Sequence, residues 1–104
     1  VFFEEQFCPL LPVGIYESDD QDIELANGSR YGLQTSVYSQ NIDQAFKIAD
    51  RLEVGTVQIN GKPDRGPDNF PFGGVKDSGS FMQGTLETLD LMTRGKMVVL
   101  NLKS

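Results

Sequence analysis

The clearest pattern of apolar and polar positions lies between Asn41 and Gly55. Apolar residues recur there at spacings of three and four, which places them on one face of a helix: Ile42, Ala45, Phe46, Ala49 and Leu52. The pattern predicts an amphipathic helix over Ile42–Glu53, capped by Asn41 and ended by Gly55.

A second helix is indicated by its start signal. Ser18 is followed three residues later by Gln21, as in a capping box, and the acidic Asp19 and Asp20 favour the positive end of a helix dipole. These residues predict a short helix over Asp19–Ala26, which ends at Asn27-Gly28.

Four segments are rich in β-branched and aromatic residues and predict strands. They are Leu10–Glu17, with a break near Pro12, then Gly32–Ser39, Thr56–Ile59 and Met97–Leu102. The terminal segment is uncharged and suited to pairing at a sheet edge.

The rest of the chain divides into a long loop and a third helix. Prolines and glycines are too frequent in residues 61–79 for a helix or a central strand, and a loop of that length is usually functional or else disordered. The aromatic residues Phe70 and Phe72 argue against pure disorder. Helical spacing then predicts a helix from about Thr85 to Thr93. The resulting order, β-α-β-α-β-loop-α-β, predicts an α/β fold with right-handed crossovers between parallel strands.

Composition narrows the possible functions. The chain has 104 residues, 38% of them hydrophobic, with a net charge of -6, which disfavours nucleic acid and anionic membranes as partners. One cysteine and no histidine leave no ordinary zinc site and no histidine-based triad. No apolar run is long enough to span a membrane, so we expect a soluble, cytoplasmic protein. Because the first residue is valine, we also expect a processed product or a fragment.

Three motifs are more specific than this general pattern. Glu4–Pro9, the segment from Asn27 to Tyr38, and Pro71–Gly79 resemble successive C-terminal motifs of the aldehyde dehydrogenase superfamily. The resemblance implies that residues 1–95 are the C-terminal part of an aldehyde dehydrogenase catalytic domain. It also implies that residues 96–104 form an oligomerisation strand, and that the partners are the rest of a parent polypeptide and further copies in a dimer or tetramer.

Within the superfamily, Gly55–Asn60, Arg65–Phe72 and Gln83-Gly84 resemble the non-phosphorylating, NADP-dependent glyceraldehyde-3-phosphate dehydrogenases. This implies oxidation of a small-molecule aldehyde, glyceraldehyde 3-phosphate, to a carboxylate with NADP or NAD as cofactor. The family's nucleophilic cysteine and glutamate base lie upstream of Val1, so no residue here is assigned a catalytic role and the isolated chain is expected to be inactive. The alternatives are a non-catalytic assembly module and a dehydrogenase for another aldehyde, such as a semialdehyde or lactaldehyde.

The resemblance assigns cofactor binding to Glu5 and Phe7. The Glu5 carboxylate can accept hydrogen bonds from ribose hydroxyls, and an aromatic ring such as Phe7 can orient a flat nicotinamide. Cys8 replaces a glycine usual in the family and is expected to be a small, partly buried thiol, because no matched base would activate it. Phe81 also stands where the family usually has glycine.

Substrate binding is assigned to Arg65 and Phe72. A guanidinium suits a phosphate, but the alternative is an exposed arginine paired with Asp64 or Asp68. Phe72 is expected to form a pocket wall or to pin the loop to the core. Asp68 and Asn69 are expected to form a turn, and Gly73-Gly74 to allow positive φ or a close backbone approach.

Overall fold

The structure is a computed structural model in which residues 4–102 are described. This part of the chain forms three helices and four short strands. In chain order they are α1 (Asp19–Asn27), β1 (Tyr31–Gly32), β2 (Gln34–Val37), α2 (Ile42–Arg51), β3 (Thr56–Ile59), β4 (Val75–Lys76) and α3 (Thr85–Met92).

The centre of the fold is a β-α-β unit. Strands β2 and β3 pair in parallel, from Gln34 opposite Thr56 to Val37 opposite Ile59, and α2 connects them and packs against β2. The single strand predicted over 32–39 is replaced by two strands, β1 and β2, with Leu33 between them. The two strands pair with different partners, β1 with β4 and β2 with β3.

Helix α2 buries a narrower strip than its sequence pattern predicts. Ala45 and Ile48 are buried, whereas Ile42 and Phe46, predicted to lie on the buried face, are exposed. The reason is that α2 packs against α1 and β2, and this contact covers only the strip through Ala45 and Ile48.

Helix α1 begins at the predicted cap. The Ser18 hydroxyl accepts a hydrogen bond from the Gln21 backbone N–H at 3.3 Å. The Gln21 side chain in turn accepts from the N–H of Glu17 at 2.8 Å. Such bonds satisfy backbone donors that a helix start leaves free. Helix α1 packs on α2 through buried Ile23, and an ion pair of 2.7 Å joins Asp20 to Arg51.

A polar junction, the Lys76 junction, holds the ends of α1 and α2 to β4. The Asn27 side chain donates to the carbonyl of Arg51 at 2.8 Å and accepts from the N–H of Glu53 at 2.8 Å. The Lys76 ammonium donates to the carbonyls of Asn27 and Ser29, at 2.7 and 3.2 Å, and lies 3.1 Å from the Glu53 carboxylate. Lys76 has a positive φ of 54°, which costs energy for a residue with a side chain, and these contacts offset that strain.

The loop predicted over 61–79 is only partly irregular. Its strand β4 pairs antiparallel with β1, and Phe72 exchanges backbone hydrogen bonds of 2.7 and 2.6 Å with Gln83. A Cβ atom on Gly55 would overlap the carbonyl oxygen of Gly73 and lie 2.6 Å from the carbonyl carbon. Neither Gly73 nor Gly74 has a positive φ. A Cβ on Gly73 would lie 2.7 Å from the Phe81 carbonyl oxygen and one on Gly74 would lie 2.9 Å from that of Ser78, so close backbone approach is the correct one of the two predicted explanations.

Two predicted strands are absent from the described residues. The segments 10–17 and 97–102 belong to no helix or strand, and apolar side chains in both, such as Ile15 and Val98, are exposed. A strand needs a neighbour for its backbone hydrogen bonds, and neither segment has one within residues 4–102. The Cα radius of gyration is 19.5 Å, well above the roughly 13 Å of a compact domain of this length. The packed part of the fold therefore lies between these two segments.

Candidate functional site

Glu5 lies at a cleft of about 560 Å³ between the end of α1, strands β1 and β2, and the turn after β4. This volume is within the usual range for a small-molecule site. The Gly32 N–H donates to the Ser78 hydroxyl at 2.9 Å and fixes one wall of the cleft. Gln34 lines the same cleft, and its side-chain nitrogen is buried without a hydrogen-bond partner among the described residues.

One edge of this cleft carries an ion pair. Asp77 lines the cleft and accepts a hydrogen bond of 2.7 Å from the Arg30 guanidinium, which also lies 5.4 Å from the centroid of the Tyr31 ring. The hydrogen bond from Arg30 to Asp77, and then their charge interaction, raise the pKa of Arg30. The negative charge of Asp77 is therefore paired with the guanidinium of Arg30, a residue that does not line the cleft.

The other residue predicted to bind cofactor lies elsewhere. Phe7 is 92% exposed and does not line the cleft that Glu5 reaches. Cys8 is exposed, so the prediction of a partly buried thiol is wrong. The segment from Phe7 to Tyr16 forms no helix or strand that would pack these side chains against the core.

The structure does bring the two predicted substrate-binding residues together. The Arg65 guanidinium carbon lies 5.6 Å from the centroid of the Phe72 ring, within the range of a cation–π contact. Arg65 Nη2 also lies 3.3 Å from a carboxylate oxygen of Asp68. Of the two acidic partners considered for the Arg65 guanidinium, Asp68 is the one observed. The Asp64 carboxylate instead pairs with Lys62 at 2.6 Å and accepts a hydrogen bond of 2.9 Å from the Arg65 backbone N–H.

Arg65 borders a cavity of about 620 Å³ at the start of α3, and Phe72 borders an adjacent cavity of about 350 Å³. Gln83 and Thr88 line both cavities. Sequence reasoning noted Gln83 in a motif but gave it no role, and it missed Thr88. The position of Gln83 in the motif is the one feature of the sequence that could have pointed to it. Its contact with Phe72 comes from a backbone bridge between the two residues, which no local sequence pattern predicts.

The segment beside Arg65 is held by backbone contacts. The Phe70 N–H donates to the Pro67 carbonyl at 2.8 Å, so Asp68 and Asn69 are the central residues of a turn, as predicted. The Asp68 carbonyl accepts from both the backbone N–H and the hydroxyl of Thr85, each at 3.2 Å. The turn is thereby fixed to the start of α3.

Comparison with known proteins places this arrangement in a family. The family model described as "Aldehyde dehydrogenase family" matches residues 1–98, and the chain belongs to the aldehyde dehydrogenase family.

Particular relatives are similar over nearly the whole chain. The NADP-dependent glyceraldehyde-3-phosphate dehydrogenase of Pisum sativum is 46% identical over 104 residues, which are 100% of this chain and 21% of that protein. The crystal structure of the NADP-dependent glyceraldehyde-3-phosphate dehydrogenase from Bacillus halodurans complexed with NADP has a TM-score of 0.93 and 48% identity, covering 98% of this chain and 21% of the other. The lactaldehyde dehydrogenase of Methanococcus maripaludis is 42% identical over 97 residues, 93% of this chain and 21% of that protein.

These comparisons confirm the predicted fold class, the α/β fold of aldehyde dehydrogenases. The chain spans about a fifth of the length of the curated relatives it matches, 21% in each of the two named. Within residues 4–102, no helix is long and apolar enough to cross a membrane.

Proposed function

We propose that this chain is the C-terminal part of a longer, NADP-dependent aldehyde dehydrogenase that oxidises glyceraldehyde 3-phosphate to a carboxylate. Support comes from the 46% identity to the pea glyceraldehyde-3-phosphate dehydrogenase over the whole chain and from the 0.93 TM-score to the Bacillus halodurans enzyme. The chain contributes binding residues, and the nucleophile and base are supplied by other parts of the polypeptide. The chain alone is therefore expected to be inactive.

The placement of Arg65 carries the choice of a phosphorylated substrate. Its guanidinium lies between the Phe72 ring and the turn at Asp68, on a cavity large enough for a triose phosphate. A guanidinium presents several N–H donors in a fixed plane and suits phosphate oxygens. We infer that Arg65 binds the substrate phosphate and that Phe72 forms the adjacent wall.

The residues present fit one part of a nicotinamide cofactor site. Glu5 places a carboxylate on a cleft of about 560 Å³, and a carboxylate accepts hydrogen bonds from ribose hydroxyls. Phe7, exposed in this structure, is the proposed second contact on the basis of its motif alone. Glu5 and Phe7 would hold the nicotinamide half of the cofactor, which would supply the hydride acceptor for aldehyde oxidation. Identity to NADP-dependent relatives favours NADP over NAD.

We further propose that segment 97–102 pairs with another copy of the chain. Its apolar side chains, including Val98 and Leu100, are exposed, and it has no partner strand in the described part of the chain. Such a segment is suited to strand addition at an edge. A dimer or tetramer remains the expected assembly, and the cytoplasmic location remains a prediction.

The test is Arg65→Ala in the complete enzyme that carries this chain. We expect KM for glyceraldehyde 3-phosphate to rise roughly 10- to 100-fold, because a hydrogen bond to a charged group contributes about 1.5–3 kcal/mol. KM for unphosphorylated glyceraldehyde should change little, since it lacks the charged group. Steady-state kinetics with both aldehydes measures the ratio.

Arg30→Ala is the matched control. Arg30 is also an exposed arginine with an aspartate partner and an aromatic neighbour, but it lies at the edge of the other cleft. It should leave the ratio of the two KM values unchanged. Equal effects of Arg65→Ala on both aldehydes would remove Arg65 from phosphate binding.

A second candidate is a dehydrogenase for an uncharged aldehyde, favoured by the 42% identity to a lactaldehyde dehydrogenase. It predicts that kcat/KM is higher for lactaldehyde than for glyceraldehyde 3-phosphate. It also predicts no preferential effect of Arg65→Ala. The same two-substrate assay therefore distinguishes the two functions.

A further inference from the structure

Asp68 places a negative charge at the group proposed to bind the substrate phosphate. A carboxylate oxygen of Asp68 lies 3.3 Å from Arg65 Nη2, and the Asp68 side chain is 88% exposed. The contact joins one nitrogen to one oxygen at a distance longer than that of a strong charge-assisted hydrogen bond. An exposed pair of this kind contributes little to stability, so the chain does not need it in order to fold.

The backbone, rather than the ion pair, holds Asp68 in this position. The Asp68 carbonyl accepts two hydrogen bonds from Thr85, and the turn closed between Pro67 and Phe70 fixes the backbone on both sides. The backbone of Asp68 thus stays beside the Arg65 cavity, which Asp68 lines together with Arg65, whether or not the guanidinium is engaged, and the carboxylate remains within reach of that cavity.

We propose that Asp68 is a specificity-determining residue that competes with the substrate phosphate for Arg65. This inference rests on the proposed function. A phosphate that binds the Arg65 guanidinium on its Asp68 side displaces the carboxylate, and a phosphate that binds the remaining N–H groups still lies close to it. In both cases the negative charge of Asp68 weakens binding of an anion there. An uncharged aldehyde does not need Arg65 and is unaffected by the competition. Asp68 therefore reduces the preference of the site for phosphorylated substrates.

The test is Asp68→Asn in the complete enzyme, which removes the charge and leaves the backbone acceptor of Thr85. We expect KM for glyceraldehyde 3-phosphate to fall about two- to fivefold, the affinity equivalent of an exposed ion pair. The inhibition constant of inorganic phosphate, used as a competing anion, should fall by the same factor. KM for glyceraldehyde should not change. Asp68→Ser, a second neutral variant suited to a turn, should show the same shifts.

Two control variants separate the charge of Asp68 from other effects. Asp68→Glu keeps the charge and should retain wild-type constants. Asp64→Asn removes a charge from the same loop. This side chain pairs with Lys62 and accepts a hydrogen bond from the Arg65 backbone N–H, which an asparagine oxygen can still accept, whereas the ion pair of the Arg65 guanidinium is with Asp68, so phosphate inhibition should be unchanged.

The outcomes separate this inference from the proposed function. If Arg65→Ala is selective for the phosphorylated aldehyde but the neutral variants at Asp68 leave KM and phosphate inhibition unchanged, or weaken binding, the competition is wrong and the proposed function stands. If Arg65→Ala acts equally on both aldehydes, the phosphate site itself is wrong, and this inference is overturned with it.

Discussion

Replacing Gly55 by alanine places a methyl group where it overlaps backbone atoms of the loop that carries Phe72. The new Cβ would lie 2.6 Å from the Gly73 carbonyl carbon and 3.1 Å from the Gly74 Cα, and it would overlap the Gly73 oxygen. Carbon atoms in contact are normally about 3.5–4.0 Å apart, so one of the two backbones must move by roughly 1 Å. No side-chain rotation can relieve the overlap, because every atom involved belongs to the backbone.

The expected cost follows from that displacement. Overpacking a close-packed site costs about 1–3 kcal/mol, and backbone neighbours favour the upper part of this range. We therefore expect Gly55→Ala to lower the free energy of unfolding by about 2–3 kcal/mol, a roughly 30- to 150-fold decrease in the ratio of folded to unfolded protein. Since Gly73 follows Phe72 directly, the same shift should disturb the wall beside Arg65.

Urea unfolding followed by far-ultraviolet circular dichroism measures this cost. Gly61→Ala is the matched control, because its Cβ would lie 3.7 Å from the nearest neighbouring atom, on Gln58, which is ordinary contact. It should be neutral or stabilising by up to about 1 kcal/mol through the unfolded state. A free energy of unfolding for Gly55→Ala within about 0.5 kcal/mol of that for Gly61→Ala would refute the packing argument.

Three further predictions concern polar contacts. Lys76→Met should lower the free energy of unfolding by about 1–2 kcal/mol in the same urea assay, because two carbonyls and a carboxylate lose a charged donor. An unchanged free energy of unfolding would show that the contacts of the Lys76 ammonium do not contribute to stability. Ser18→Ala should cost about 1 kcal/mol by the same measurement, since it removes the α1 cap, and Ser18→Asn should restore most of it. The hydrogen bond from Lys62, and then its charge, lower the pKa of Asp64 below 3.8. The stabilisation from this pair is thus present above that value and is lost as pH falls through the lowered pKa. Lys62→Met should raise the Asp64 titration midpoint in a side-chain carboxyl NMR titration, and an unchanged midpoint would contradict the assigned cause.

Local signals in the sequence predicted the helices well. Ser18 and Asn41 each cap a helix where expected, with side-chain bonds of 3.3 and 3.2 Å to the first turn. The predicted helix Ile42–Glu53 forms over Ile42–Arg51, and strand Thr56–Ile59 forms as predicted. These elements depend on residues close in sequence, so their signals can be read along the chain.

The site was predicted unevenly for the same reason. The motifs implied that Arg65 and Phe72 bind substrate, which stays a prediction. The contact between these two residues, and the pairing of the Arg65 guanidinium with Asp68 rather than Asp64, depend on how the loop folds back. The resemblance implied that Glu5 and Phe7 form one cofactor-binding pair, yet of the two only Glu5 lines the cleft. The position of a residue in a sequence motif does not determine which other side chains line the same cavity.

The sequence by itself determined the three helices, the β-α-β unit, the turn at Asp68 and Asn69, and membership of the aldehyde dehydrogenase family. Only the tertiary structure decided that segments 10–17 and 97–102 form no strands with the described part of the chain, and that Cys8 is exposed. It also decided that Gly55 must lack a side chain. Helix caps and turns are satisfied by neighbours in sequence, whereas strands, cavities and close backbone contacts need partners distant in the chain, whose positions follow only from the packed fold.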